Sequence, residues 1–151
     1  MLRAHPDARD VRMEIGAVPQ VRVLVDGKKL GRAIFNLMLN ACQAANRGGG
    51  PPRVELSVTQ GESLCVRVTD SGQGVPEAIR GTMFDPFVSA EKESGVGLGL
   101  TLALHIAQEH GGMVRLEESR EGRTVFMIVL PMVAKDGGLA VAGDSLKTVV
   151  R

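Results

Sequence analysis

Leu64-Cys65-Val66-Arg67-Val68-Thr69-Asp70-Ser71-Gly72-Gln73-Gly74 alternates apolar and polar residues for the length of one strand, then ends on its apolar parity in a carboxylate followed by two glycines. Alternate residues of a strand share a face, so Leu64, Val66, Val68 and Asp70 point the same way. The buried face therefore carries a carboxylate at its end. Burying an unpaired carboxylate is costly, so Asp70 needs donors, either backbone amides of the next turn or an N–H of a ligand. Gly72 and Gly74 permit a sharp reversal and the close approach of a flat ligand; an ordinary Asx-type turn is the alternative.

Upstream, Arg53 to Thr59 alternates in the same way and is joined to this strand through Gln60-Gly61-Glu62-Ser63, which predicts a hairpin. Before it the period changes. Leu30, Ile34, Leu37, Ala41 and Ala44 fall at helical steps, with Asp26 as N-cap and Gly48-Gly49-Gly50-Pro51-Pro52 as a stop. A second face of that helix carries Arg32, Asn36, Asn40, Gln43 and Arg47. Asparagine is a mediocre helix former, and two of them one turn apart are either part of a solvated polar face or a pair of amide oxygens suited to a hard cation such as Mg²⁺. Still earlier, Val11 to Ile15 and Val21 to Val25 are short β-type runs separated by Gly16-Ala17-Val18-Pro19-Gln20, read as an edge hairpin.

Downstream, Pro76 to Arg80 reads as a short helical turn with proline at its start. Met83-Phe84-Asp85-Pro86-Phe87 holds two of only four phenylalanines, and Val88 to Ser94 is polar without a period, which suits a lid or a plain surface loop. Ser94-Gly95-Val96-Gly97-Leu98-Gly99-Leu100-Thr101 then runs into a helical pattern ending at His110, before Gly111-Gly112. Glycines ahead of a helix N-terminus suit a phosphate, although such turns also occur without one. Met113 to Glu118 and Thr124 to Leu130 read as a closing antiparallel pair, the second apolar on both faces and therefore central. Asp136 to Arg151 reads as a tail or linker.

The 151 residues suffice for about one domain with a single core. With 18 Lys and Arg against 17 Asp and Glu, nothing in the charge favours nucleic acid or an anionic membrane, so any anion site is local. Cys42 and Cys65 form neither a CxxC pair nor a framework and read as reduced residues of an intracellular protein. No run approaches a membrane span, and residues 1–10 read as a lead-in rather than a signal.

Four motifs thus stand in one order: Asn36-Leu37-Met38-Leu39-Asn40-Ala41, Asp70-Ser71-Gly72-Gln73-Gly74, Phe84-Asp85-Pro86-Phe87 and Gly95-Val96-Gly97-Leu98-Gly99-Leu100. The set resembles the N, G1, F and G2 boxes of the catalytic ATP-binding domain of sensor histidine kinases, within the superfamily shared with gyrase, the heat-shock chaperones and the mismatch-repair MutL proteins. The ending Asn-Ala-x-Gln-Ala of the first box and the short lid resemble the nitrogen-regulation subgroup. The resemblance covers about residues 20–131 and implies an α+β, two-layer sandwich (the Bergerat fold), with a mixed, mostly antiparallel sheet covered on one face by helices. The domain proper then spans residues 11–131, with 132–151 as a flexible tail or linker.

Carried over residue by residue, the resemblance makes Asn40 the Mg²⁺ ligand, with Asn36 lining the same metal and phosphate site. Asp70 accepts the adenine amino group, Gly72 and Gly74 leave room for the ring, and Val75 belongs to the same nucleotide-binding set. Phe84 and Phe87 anchor the lid. Gly95, Gly97 and Gly99 form its hinge and the phosphate-side wall, with Val96 between them near the phosphates, and Leu98, Leu100 and Thr101 open the helix whose N-terminus faces the phosphates. Lys92 falls where related lids carry a basic residue that reaches the γ-phosphate, one residue further from Phe87 than usual. Gln43 stands where some members carry a phosphate-binding lysine, and Val96 where a hydroxyl residue is common.

The activity implied is transfer of the ATP γ-phosphate, leaving ADP, to a histidine on a separate dimeric helical phosphoacceptor domain, and onward to a response regulator. The chain carries no acceptor motif: His5 precedes Pro6, and His105 and His110 lie in the helix after the glycines. The isolated domain is expected to be a cytoplasmic monomer that binds ATP but does not autophosphorylate, with no direct membrane contact. A serine kinase of the anti-sigma-factor type would carry a glutamate at the position of Asn36, and a nucleotide sensor without catalysis is countered by the intact Asn40, Asp70 and glycines.

Overall fold

The computed structural model describes residues 2–21, 23–88 and 98–132. Five strands form one sheet in the order β1-β2-β3-β5-β4: β1 (Arg12–Ile15), β2 (Arg53–Gln60), β3 (Ser63–Asp70), β4 (Met113–Arg120) and β5 (Arg123–Pro131). β1 runs parallel to β2 and the other neighbours are antiparallel. Helices α1 (Gly27–Asn46), α2 (Glu77–Arg80) and α3 (Gly99–Glu109) complete the α+β fold.

Alternation explains the central strands. In β3 every second residue is buried, Leu64, Val66, Val68 and Asp70, and these pair in register with Leu130, Ile128, Phe126 and Thr124 of β5. β5 is central and buried on both faces, as its double apolar pattern requires. On the face away from the core cluster, Met127 is fully buried, and its strand neighbour Arg67 is bound to Glu117 of β4 at 2.7 Å. The aliphatic stem of such a charged pair covers apolar surface while its head stays wet.

α1 begins where Asp26 accepts hydrogen bonds from the amides of Lys28 (2.9 Å) and Lys29 (3.1 Å), the cap expected from sequence. Its buried stripe, Leu30, Ala33, Leu37, Met38, Ala41, Cys42 and Ala45, is wider than expected and leaves Ile34 and Ala44 half-buried. A helix lying flat on a sheet needs a broader apolar band than a narrow seam supplies. Fully burying Leu37 contributes about 1.5–3 kcal/mol.

The edge hairpin is not formed. β1 pairs with β2 instead, held by Arg12 N–H to the Pro52 carbonyl (3.0 Å) and Gly16 N–H to the Leu56 carbonyl (2.9 Å). The described residues of 21–25 are not a strand; Val23 and Val25 are buried in the core. The two β-like runs follow apolar contact with the core rather than each other, a choice that local pattern does not encode. Part of the expected lead-in joins the core as well: the 3-10 turns Leu2–Ala4 and Pro6–Ala8 precede β1, and Ala8 is 2% exposed.

Candidate functional site

The end of β3 is built as the alternation requires. Asp70 is 2% exposed, and one carboxylate oxygen accepts the Gly72 N–H at 2.8 Å. Burial pushes its pKa up to about 6, the Gly72 amide opposing, with a weaker pull from the Thr124 hydroxyl, which makes no hydrogen bond of good geometry among the described residues. Asp70 thus sits in a place that disfavours its charge and, among the described residues, supplies only one good donor. A ligand N–H directed at the carboxylate would make good that deficit.

The turn after Asp70 is pinned on three sides. Ser71 N–H donates to the Arg53 carbonyl of β2, and the Gly72 carbonyl accepts Gly122 N–H from the β4–β5 hairpin at 2.8 Å. Val75, half-buried, donates its N–H to Ser119 Oγ at 2.8 Å, and its carbonyl accepts Arg80 Nε at 2.9 Å. Gln73 donates to the Arg47 carbonyl at the end of α1. The glycines serve this packing directly. A Cβ on Gly72 would stand 2.7 Å from the Ala44 carbonyl oxygen, and Gly74 has φ +86° with the Arg120 backbone 3.2 Å from where its Cβ would be. Both are required by the protein's own contacts, whatever room they leave for a ring.

α1 links this turn to the glycine end of α3. Gly72 abuts Ala44, and Gly99 abuts Asn36, where a glycine Cβ would lie 3.9 Å from the asparagine's. Eight residues separate those contacts, about 12 Å along the helix, with Asn40 midway. Asn36 Nδ2 is buried with no hydrogen-bond partner among the described residues, an arrangement that costs roughly 1–3 kcal/mol unless something else satisfies it. Asn40 is half-buried, and no described group bonds to its side chain.

The N-cap of α3 is Leu98, 41% exposed, and it makes no side-chain cap hydrogen bond. The contrast with the capped α1 is chemical: among the described residues, the amides opening α3, at Gly99, Leu100 and Thr101, receive no side-chain acceptor. Thr101 spends its hydroxyl on the Phe84 carbonyl at 2.9 Å. Phe84 also meets Phe126 edge to face, ring centres 6.4 Å apart. Phe87 is 74% exposed with φ +64°, its ring turned out of the core by a left-handed backbone. Gln43 is also engaged elsewhere, donating to Asp7 Oδ2 at 2.9 Å. Lys92, Gly95, Val96 and Gly97 lie outside the described residues, as does the tail expected from Asp136 onward. Thr124, buried opposite Asp70, was missed; its parity with Phe126, Ile128 and Leu130 was the available signal.

Residues 25–134 match the family described as "Histidine kinase-, DNA gyrase B-, and HSP90-like ATPase". The chain belongs to that family. Among curated relatives it is 36% identical over 145 residues to the signal transduction histidine-protein kinase AfsQ2 of Streptomyces coelicolor, covering 90% of this chain and 26% of the relative. It is 38% identical over 125 residues to the sensory histidine kinase/phosphatase NtrB of Rhodobacter capsulatus, covering 75% of this chain and 34% of that protein. The chain thus spans about a quarter to a third of these relatives. Among solved structures, the ATP-binding domain of PrrB from Mycobacterium tuberculosis aligns with TM-score 0.66 and 28% identity over 87% of this chain and 85% of that one. The mycobacterial sensor histidine kinase MprB aligns with TM-score 0.65 and 28% identity, over 82% and 83%. As a histidine-kinase-type ATP-binding catalytic domain, the chain carries the two-layer sandwich and the nitrogen-regulation likeness expected from its motifs.

Proposed function

We propose that this domain binds ATP with Mg²⁺ along α1, adenine against Asp70 and phosphates between Asn40 and the start of α3, and presents the γ-phosphate to a histidine of a separate helical phosphoacceptor domain. The observation that carries the reading is a pair of buried groups at opposite ends of one helical span, the under-donated carboxylate of Asp70 and the side-chain amide of Asn36, which has no partner among the described residues. The residues fit the nucleotide they are assigned. Asp70 accepts the exocyclic amino group, and Thr124 beside it offers a hydroxyl to the same base edge. Asn40 holds the metal through its amide oxygen, and Asn36, whose amide presents oxygen or N–H according to a half-turn about its last bond, serves metal or phosphate. The uncapped amides of α3 receive phosphate oxygens. Bound Mg²⁺ supplies neutralisation of phosphate charge.

Positioning and charge neutralisation do the chemical work, and no covalent intermediate on this chain is required. Asn36 cannot take a proton as a base, which is consistent with a nucleophilic imidazole that needs little deprotonation and not with a serine acceptor. The domain works where ATP is, on the cytoplasmic side, and does not phosphorylate itself alone. Titration calorimetry with ATP and Mg²⁺ tests the binding: saturable binding is expected, weakened by at least about 100-fold in Asp70→Asn, through loss of a charged hydrogen bond at a buried site. Unchanged affinity refutes the adenine assignment. Mixed with a helical phosphoacceptor domain, the chain should yield an acid-labile, base-stable label on that partner.

A further inference from the structure

α1 and α3 pack antiparallel, with Asn36 beneath Gly99 at one end and Asp26 beside His110 at the other. The second end is a bond between two helix caps. Asp26 is the N-cap of α1 and His110 the C-cap of α3. Asp26 N–H donates to His110 Nε2 at 3.0 Å, so Nε2 holds its lone pair and the ring proton sits on Nδ1, which donates to the Ile106 carbonyl at 2.7 Å. Both nitrogens are satisfied in this one neutral tautomer.

His110 is itself held firmly. Gly112 N–H bonds the Ala107 carbonyl (2.8 Å) and Gly111 N–H the Gln108 carbonyl (2.9 Å), with Gly111 at φ +72°, a Schellman ending. A Cβ on Gly112 would collide with the Val129 carbonyl, so this end of α3 is seated on β5 as well.

We propose that His110 is a positioning residue: its cap-to-cap bond with Asp26 fixes the axial register of α3 on α1, and thereby where Gly99 and Leu100 stand relative to Asn36 and Asn40. Ten residues of α1, about 15 Å, transmit the effect between two contacts on one rigid helix pair. The neighbouring pairs, Lys29 with Glu109 at 2.8 Å and His105 with Glu109 at 3.6 Å, lie on exposed flexible side chains and do not set register. Protonating His110 would set an Nε2–H against the Asp26 N–H and break the bond.

The consequence for catalysis rests on the ATP-binding reading; the register itself does not. Nitrogen-15 NMR of the full chain at neutral pH should show His110 as the Nδ1–H tautomer. His110→Ala should shift the amides of Gly99, Leu100 and Thr101 and the side-chain amide of Asn36, and weaken ATP binding by about tenfold, since small misplacements at a site carry large effects. His110→Gln, whose amide oxygen reproduces the acceptor, should restore both. The tautomer, read on the native chain, decides the matter even if His110→Ala does not fold. An Nε2–H tautomer, or perturbations confined to the neighbours of residue 110, would overturn the proposal. Absence of ATP binding by the native chain would refute the nucleotide reading while leaving the NMR result to decide the register.

Discussion

The turn at Asp70–Val75 and the loop at Met83–Val88 flank the same helical platform but are secured in opposite ways. The first is locked by backbone hydrogen bonds to β2 and the β4–β5 hairpin and by the Gln73 side chain to the end of α1, with glycines where no Cβ fits. The second hangs on one buried methionine, one half-buried ring and one hydroxyl: Met83, Phe84 against Phe126, and Thr101 to the Phe84 carbonyl, while Phe87 stands in solvent. The comparison teaches that the Asp70 turn is set in advance by the fold, at a cost in stability borne by the buried carboxylate. The Met83–Val88 loop keeps fewer ties among the described residues, the pattern of a segment of low local stability.

The sharpest way to break the contrast is Gly72→Ala. Its Cβ would meet backbone at 2.7 Å and the Asp70 carboxylate at 2.8 Å, neither able to yield cheaply, so a loss of about 3 kcal/mol is expected by chemical denaturation. A loss below about 0.5 kcal/mol would mean that the turn is not rigid.

Asp70→Asn should act in the other direction and stabilise the nucleotide-free domain at pH 7.5 by on the order of 2 kcal/mol. The sign follows from linkage. The folded pKa, about 6, lies above the usual 3.8, so the folded state holds the extra proton between those values. Native stability therefore declines as pH rises from about 4 to 6 on account of this group. The advantage of Asp70→Asn should accordingly be small at pH 4 and reach its plateau above pH 6; an advantage independent of pH would contradict the burial argument.

Smaller effects should separate the two phenylalanines. Phe84→Ala removes a half-buried ring from its edge-to-face partner and should cost about 1–2 kcal/mol. Phe87→Ala, at an exposed position with φ +64°, should stay within about 0.5 kcal/mol in thermal melts. Equal losses would place Phe87 in the core and erase the difference between them.

Sequence pattern reached a good deal of this. Periodicity identified α1 with its Asp26 cap, the hairpin of β2 and β3, the centrality of β5 and the carboxylate closing a buried strand face, because each depends on residues near in sequence. The partner of β1 was not legible, since a parallel pairing joins segments about 40 residues apart and leaves no local mark. Phe87 misled because an aromatic residue suggests an anchor, whereas its backbone conformation directs it outward. That Ala44 and Arg120 press on Gly72 and Gly74 was not legible either, since those contacts join segments distant in sequence. Thr124 was legible in parity and went unread.

The central claim is that Asp70 reads the amino group of adenine. It is tested most directly by calorimetric titration of the chain, at pH 7.5 with Mg²⁺, with ADP and with inosine diphosphate, which carries a carbonyl oxygen where adenine carries that amino group. A buried acceptor left facing another acceptor should cost inosine diphosphate at least about 100-fold in affinity relative to ADP. Equal affinities for the two would contradict the account.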